Sequence, residues 1–240
     1  MDRNLDKFFT NTEIAEKCCD IVKNTIAIDY NKDFVVEPSA GSGSFIKPIK
    51  RMCRNHLFID IQPDHPQVEK HNYLKMKPLF FQKLKNTNKM HVIGNPPFGF
   101  KGSNAIKFIR HSCEFCDTLS FILPLSFAKS SMKKTVPLMF HLLTSYDIPP
   151  NSFHYNDEMF NIPCVFQIWE KRGYNRKMEK KVLPKGYSFV KKATEADFAI
   201  RRVGSYTGKI LDLEKRNPNS HYFVKLDDKK DIILLKDINI

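Results

Sequence analysis

Asp33-Phe34-Val35-Val36-Glu37-Pro38-Ser39-Ala40-Gly41-Ser42-Gly43-Ser44-Phe45 is the stretch on which the fold turns. A short apolar run ends in an acid, a turn of small residues follows, and apolar residues then resume. An apolar run of this length bounded by turn signals reads as a buried strand. Glycines at its end allow close approaches and backbone conformations closed to other residues. The same alternation continues downstream. His56-Leu57-Phe58-Ile59-Asp60 reads as a second strand ending in an acid, Met90-His91-Val92-Ile93-Gly94 as a later one, and 119–124 as another. Helical stretches at 77–86 and 103–115 separate them. Upstream, Thr12 followed by Ile14, Ala15, Cys18, Cys19 and Val22 predicts a capped amphipathic helix of about four turns. Strands alternating with helices predict an α/β fold around a mainly parallel sheet covered on both faces.

Beyond residue 150 the pattern changes. Strand-like pieces at 152–156 and 164–170 predict an antiparallel hairpin closing one sheet edge. The stretch 171–192 is basic, with Arg172, Arg176, Lys177, Lys180, Lys181, Lys185, Lys191 and Lys192 almost unopposed. The boundary is therefore placed there, giving a main domain over 1–171 and a basic, mostly β appendage over 172–240. In the appendage, β-like runs at 187–190, 198–203, 222–226 and 232–235 are punctuated by a turn at Asn217-Pro218-Asn219.

With 240 residues of which 42% are apolar, the chain can bury one good-sized core. No apolar run approaches the ~18 residues needed to span a bilayer, and the N-terminus has no signal-peptide core, so a soluble intracellular protein, in cytoplasm or nucleus, is expected. A formal net charge of +13 and a pI near 9.4 favour a polyanionic partner. Six cysteines in a chain of this length do not make a disulfide framework. His111-Ser112-Cys113-Glu114-Phe115-Cys116 has metal-ligand residue types but no second cluster, and it lies in a helical stretch. It reads as core cysteines, with no metal expected.

In an open α/β sheet, ligands bind outside the carboxyl ends of the strands. Gly41-Ser42-Gly43 stands at such an end. A dinucleotide fingerprint would need a glycine at position 46, which is Ile46, and no phosphate-cradling motif follows, so the ligand expected is one without a phosphate. Asp60, ending the next strand, is placed to chelate ribose hydroxyls; a surface turn before Gln62-Pro63 is the competing role. After the Met90–Gly94 strand comes Asn95-Pro96-Pro97-Phe98. Both prolines fix φ and force the preceding residue into extended backbone, so the turn is stiff. It can offer the Asn95 side-chain oxygen and the Pro96 carbonyl as fixed acceptors beside the Phe98 ring, a set that fits the exocyclic amine of a nucleobase. A plain proline turn ending a strand is the alternative.

Together, Phe8-Phe9-Thr10, the stretch from Glu37 to Phe45, Asp60 and Asn95-Pro96-Pro97-Phe98 resemble the amino-methyltransferases that modify adenine N6, in the arrangement where the cofactor half comes first and target recognition last. The resemblance implies a Rossmann-like class I methyltransferase sheet with S-adenosylmethionine as methyl donor. It implies that Thr10 and the glycine turn hold the methionine end, Glu37 orients it, and Asp60 takes the ribose, with Phe9, Ser39, Gly41, Gly43, Phe45, Ile61, Asn72, Tyr73 and Asn95 completing the cofactor set. Asn72-Tyr73-Leu74 departs from the family's acid at the first position, though the Asn72 oxygen can still accept from an adenine amine. The catalytic residues implied are Asn95, Pro96, Pro97 and Phe98. Phe160 is the expected opposite wall, with core packing as its competing role. Lys177, Lys180, Lys181, Lys185, Arg201 and Arg202 are expected to bind phosphates; a solvated charged linker is the alternative. The expected partner is nucleic acid, DNA ahead of RNA. A non-catalytic nucleic-acid-binding subunit is the reading from a different class.

Overall fold

Val35 and Val36 are adjacent and both fully buried, each in a different core. That is the mark of a strand covered on both faces, because successive side chains point to opposite sides of a sheet. The computed structural model describes residues 8–85, 88–155, 158–177, 183–204 and 206–228. Lys180, Lys181 and the predicted run at 232–235 lie outside these. The chain divides into two compact units, Met1–Glu179 and Lys180–Ile240, so Arg172, Arg176 and Lys177 belong to the first.

The first unit runs β1 (Phe9–Thr10), α1 (Thr12–Thr25), β2 (Phe34–Glu37), α2 (Ile46–Met52), β3 (Asn55–Asp60), β4 (Glu69–Lys70), α3 (Pro78–Lys85), β5 (Met90–Gly94), α4 (Ser103–Cys113), β6 (Thr118–Pro124), β7 (Phe140–Asp147), β8 (Phe153–Tyr155), β9 (Glu158–Phe160) and β10 (Cys164–Lys171). A seven-stranded sheet has the order β4-β3-β2-β5-β6-β10-β7. Its pairs from β4 to β6 are parallel, and β10 lies antiparallel to both neighbours. One face packs on α1 and α2 through Ala15, Cys18, Val22, Ile49, Ile93, Ile122 and Phe166. The other packs on α3 and α4 through Phe81, Phe108, Ile109, Val92, Leu119, Phe121 and Trp169. Cys113 and Cys116 are buried free thiols in this second core. No group of three or more His, Cys, Asp or Glu among the described residues could hold a metal ion, and no described helix is long and apolar enough to cross a membrane.

Two expectations change. Thr12 is the first helical residue of α1, and Asn11 precedes it as the cap position, with its side chain turned to the Asn151 carbonyl and His154. The predicted hairpin of 152–156 with 164–170 is corrected. The partner of β10 is β7, while β8 pairs with β9 and β1 in a separate three-stranded sheet. As the sheet's edge strand, β7 is mostly half-buried, which blurs the alternation that would mark it in the sequence.

The second unit has β11 (Tyr187–Val190), β12 (Phe198–Arg201), β13 (Ile210–Leu211) and β14 (His221–Leu226) in a four-stranded antiparallel sheet of order β11-β14-β12-β13. Its small core is Phe198, Val224 and Leu226, with Ile200 and Ile210 packed against it. Asn217 turns the chain before β14, its side chain accepting from the Asn219 N–H at 2.8 Å and its carbonyl from the Ser220 N–H at 3.0 Å.

A polar knot ties β2, β5 and β6 together near their amino ends. His91 is fully buried, its Nδ1 2.7 Å from Thr118 Oγ1 and its Nε2 3.2 Å from Asp33 Oδ2. Burial holds the His91 imidazole below its ordinary value, with the Asp33 carboxylate only partly offsetting this. The folded state thus favours neutral His91, while the unfolded chain takes up the proton near pH 6.5. This contribution to stability is whole above about pH 6.5 and is lost as pH falls towards the depressed folded value. Denaturant unfolding of the wild type should show declining stability from about pH 7 to 5, and His91→Gln should abolish most of that slope while costing ~1–3 kcal/mol at neutral pH. A slope of equal size in the variant would remove His91 as its source.

Candidate active site

Strand order reverses between β2 and β5, since β3 and β4 follow β2 on one side and β6 follows β5 on the other. This is the switch point at which open α/β sheets bind ligands. The carboxyl ends of β2, β3 and β5 place there the turn 38–45, Asp60 and the turn 95–98.

Hydrogen bonds join these ends. Ser39 Oγ donates to the Asn95 carbonyl at 3.0 Å, and the Gly41 N–H donates to Asp60 Oδ2 at 2.9 Å. Gly41 has φ +48°, and a Cβ there would lie 2.9 Å from the Phe9 ring, so the turn closes on Phe9 only with glycine at this position. Gly43 donates to the Ala40 carbonyl within the same turn at 2.7 Å, and Ser44 Oγ donates to the Thr10 carbonyl at 2.6 Å. Asn95 Nδ2 donates to Thr10 Oγ1 at 3.1 Å, leaving Oδ1 as the acceptor. Asp60 Oδ1 also accepts from the Gln62 N–H at 2.8 Å.

These groups surround a cavity of about 250 Å³, lined among others by Asp60, Ile61, Asn72, Asn95, Pro96 and Phe98. An adjoining cavity of about 30 Å³ is lined by Thr10, Glu37, Ser44 and Phe45, and Phe8, Phe9, Ser39, Gly41 and Asn95 border both. Glu37 is 2% exposed, and its Oε2 is buried without a hydrogen-bond partner. Burial, reinforced by the nearby Asp60, pushes its carboxyl well above the usual range. A buried acceptor without a partner costs free energy. A cationic or N–H group brought to Oε2 would remove that cost. Asp60, half-exposed Ile61 and Asn72 line the larger cavity.

Several predicted residues take other places. Tyr73 borders the larger cavity, but its ring is in the core, stacked on Phe108 at 5.3 Å with its hydroxyl 2.7 Å from Ser112 Oγ. Phe160 packs edge-on against Phe8 at 5.1 Å and does not line the cavity, whose wall there is Phe8, Phe153 and Ile162. Phe8 belongs to the quoted Phe8-Phe9-Thr10. Phe153 and Ile162 carry no motif, because only the three-stranded sheet and the loop after it bring that region to the switch point.

The basic stretch is less free than its composition suggests. Arg176 donates to the carbonyls of Lys133, Val136, Pro137 and Phe140 at 2.6 to 2.8 Å and lies 5.2 Å over the Trp169 ring. Arg172 pairs with Glu170 at 3.3 Å. The expectation that these two are unopposed is therefore corrected: carbonyls of 133–140 and a neighbouring carboxylate occupy them. Lys177 and Lys185 are exposed. In the second unit Arg201 Nε donates to the Val203 carbonyl, and Arg202 Nε to that of Asn219.

No family model matches the chain, and no curated protein matches it by sequence. Solved structures do. The type IIG restriction endonuclease BpuSI aligns with a TM-score of 0.52 at 14% identity, over 70% of this chain and 26% of that one. The M protein of the type I restriction enzyme EcoKI aligns with a TM-score of 0.50 at 14% identity, over 87% and 52%. The 23S rRNA methyltransferase ErmE aligns with a TM-score of 0.48 at 14% identity, over 70% and 71%. At these identities the likeness is one of fold. The chain has the Rossmann-like fold of the class I methyltransferases, with an antiparallel β appendage.

Because burial and the nearby Asp60 disfavour ionised Glu37, Glu37→Gln should stabilise the protein above the ordinary carboxylate range by removing that ionisation cost. The sign follows from the raised carboxyl: the cost of ionised Glu37 is present above its folded value and disappears as pH falls towards the ordinary carboxylate range. Thermal melts should therefore show the variant's advantage largest at alkaline pH and gone near pH 4.5. A destabilised variant at alkaline pH would mean that Glu37 has a partner in the free protein.

Proposed function

We propose that this protein transfers the methyl group of S-adenosylmethionine to the N6 amine of adenine in nucleic acid, with DNA as the first substrate. The observation that carries this reading is the setting of Asn95, whose amide nitrogen donates to Thr10 Oγ1 and which lines the larger cavity together with Pro96 and Phe98.

S-adenosylmethionine, when bound, supplies a methyl group already activated by its sulfonium. The chain's own residues do the rest. An aromatic amine is a poor nucleophile because its lone pair is delocalised into the ring. Acceptance of its two N–H groups by Asn95 Oδ1 and the Pro96 carbonyl favours a pyramidal nitrogen and stabilises the positive charge that grows during transfer. The prolines hold both acceptors in place before the reaction, so little reorganisation is needed. A base within a duplex cannot enter such a cavity and must be flipped out. Stacking on Phe98 recovers ~1–3 kcal/mol of that cost. In the second unit, Phe189 lies 5.6 Å from Tyr187 and 5.3 Å from Tyr222, over which Arg202 sits at 5.4 Å. Half-exposed rings beside cations suit a nucleic-acid strand. DNA comes before RNA because, of the similar structures, one is a restriction endonuclease and another the M protein of a restriction enzyme.

Methyl transfer from labelled S-adenosylmethionine to matched DNA and RNA pools, followed by nucleoside identification, should yield N6-methyladenine from DNA. Label only in RNA would move the substrate, and label in another nucleoside would sink the assignment. Asn95→Ala should abolish transfer while costing less S-adenosylmethionine affinity than Asp60→Ala, which should weaken cofactor binding by ~1.5–3 kcal/mol, the worth of hydrogen bonds to a charged acceptor. Calorimetric titration of both variants tests the division, which fails if the two lose cofactor affinity equally.

A further inference from the structure

Phe100 is 82% exposed, more than any other large hydrophobic side chain among the described residues, yet it stands two residues after Phe98. The backbone holds it outward. Gly99, Lys101 and Gly102 take left-handed conformations at φ +69°, +53° and +78°. For Lys101 that conformation costs free energy, and the turn is closed by the Gly102 N–H donating to the Gly99 carbonyl at 3.1 Å. A Cβ on Gly99 would lie 2.8 Å from Asn104 Cγ, and one on Gly102 2.9 Å from the Phe127 ring, so both glycines are sites of close packing. The Phe98 carbonyl accepts from the N–H groups of Asn104 and Ala105 at 3.0 and 3.2 Å, which fixes the entry into α4. The turn is thus fastened on both sides and presents Phe100 and Lys101, whose Nζ lies 5.0 Å from the centre of the Phe100 ring.

Two residues span at most ~7 Å of chain, so the Phe100 backbone stays within that distance of Phe98. A strand that leaves its target base on Phe98 brings its next nucleotide within reach of this ring. Resting on the methyl-transfer reading above, we propose that Phe100 stacks on the base flanking the target adenine and that Lys101 binds a phosphate of the same strand. The substrate is then a single strand, or a duplex opened over two nucleotides rather than one. A flat ring beside a cation takes any base, so the contact positions the strand without reading its sequence.

The test measures binding and methylation of short oligo(dA) and oligo(rA) by the full chain. Phe100→Ala and Phe100→Leu should weaken binding about 10- to 100-fold, the equivalent of one stacked base. The rate at saturating oligonucleotide, cofactor affinity and melting temperature should stay unchanged, and Phe100→Trp should remain close to wild type. Lys101→Gln should lower the slope of log affinity against log salt by about one unit. Phe100→Ala equal to an active wild type, or a loss accompanied by weakened cofactor binding, would overturn the Phe100 assignment alone. A wild type that binds the cofactor but neither binds nor methylates either oligonucleotide would overturn the methyl-transfer reading, and this inference with it.

Discussion

The hydrogen bond from Ser39 Oγ to the Asn95 carbonyl joins the two turns that meet where strand order reverses. Around it, Gly41 is tied to Asp60 and Asn95 to Thr10, so segments far apart in the chain are held as one surface. A parallel sheet makes this possible, because its strands all deliver their carboxyl ends to the same side. If this linkage slackened, the acceptor oxygen of Asn95 and the ring of Phe98 would lose their common frame.

The two ends of the sheet use buried polar groups in opposite ways. Near the amino ends, His91, Asp33 and Thr118 satisfy one another and contribute to stability. At the carboxyl ends, Glu37 is buried with an oxygen that has no partner. The first arrangement is hydrogen-bonded within the protein, whereas the second leaves a buried carboxylate oxygen without a protein partner.

Basic side chains divide in the same way. Arg176 spends its guanidinium on four backbone carbonyls and the face of Trp169, so it works as an internal brace for the segment before β7. A count of positive charge along 171–192 cannot separate such a brace from a phosphate contact, since both need the same residue type. Exposure separates them: Arg176 is half-buried, whereas Lys177, Lys185, Lys191 and Lys192 are exposed.

The sequence by itself determined four strands of the parallel half of the sheet, β2, β3, β5 and β6, their helices and the identity of the residues at the three strand ends, but not the edge strand β4. Those features are local: apolar runs of strand length, glycines where backbone must turn sharply, and prolines that stiffen a turn all act within a few residues. Only the tertiary structure decided that β10 pairs with β7, that Phe153 and Ile162 wall the cavity while Phe160 packs behind on Phe8, and that the Tyr73 ring belongs to the core. Each of these depends on which distant segment comes to lie alongside. An aromatic or half-buried strand residue has the same composition whether it faces a core, a cavity or water, and its neighbours in space, not in sequence, settle which.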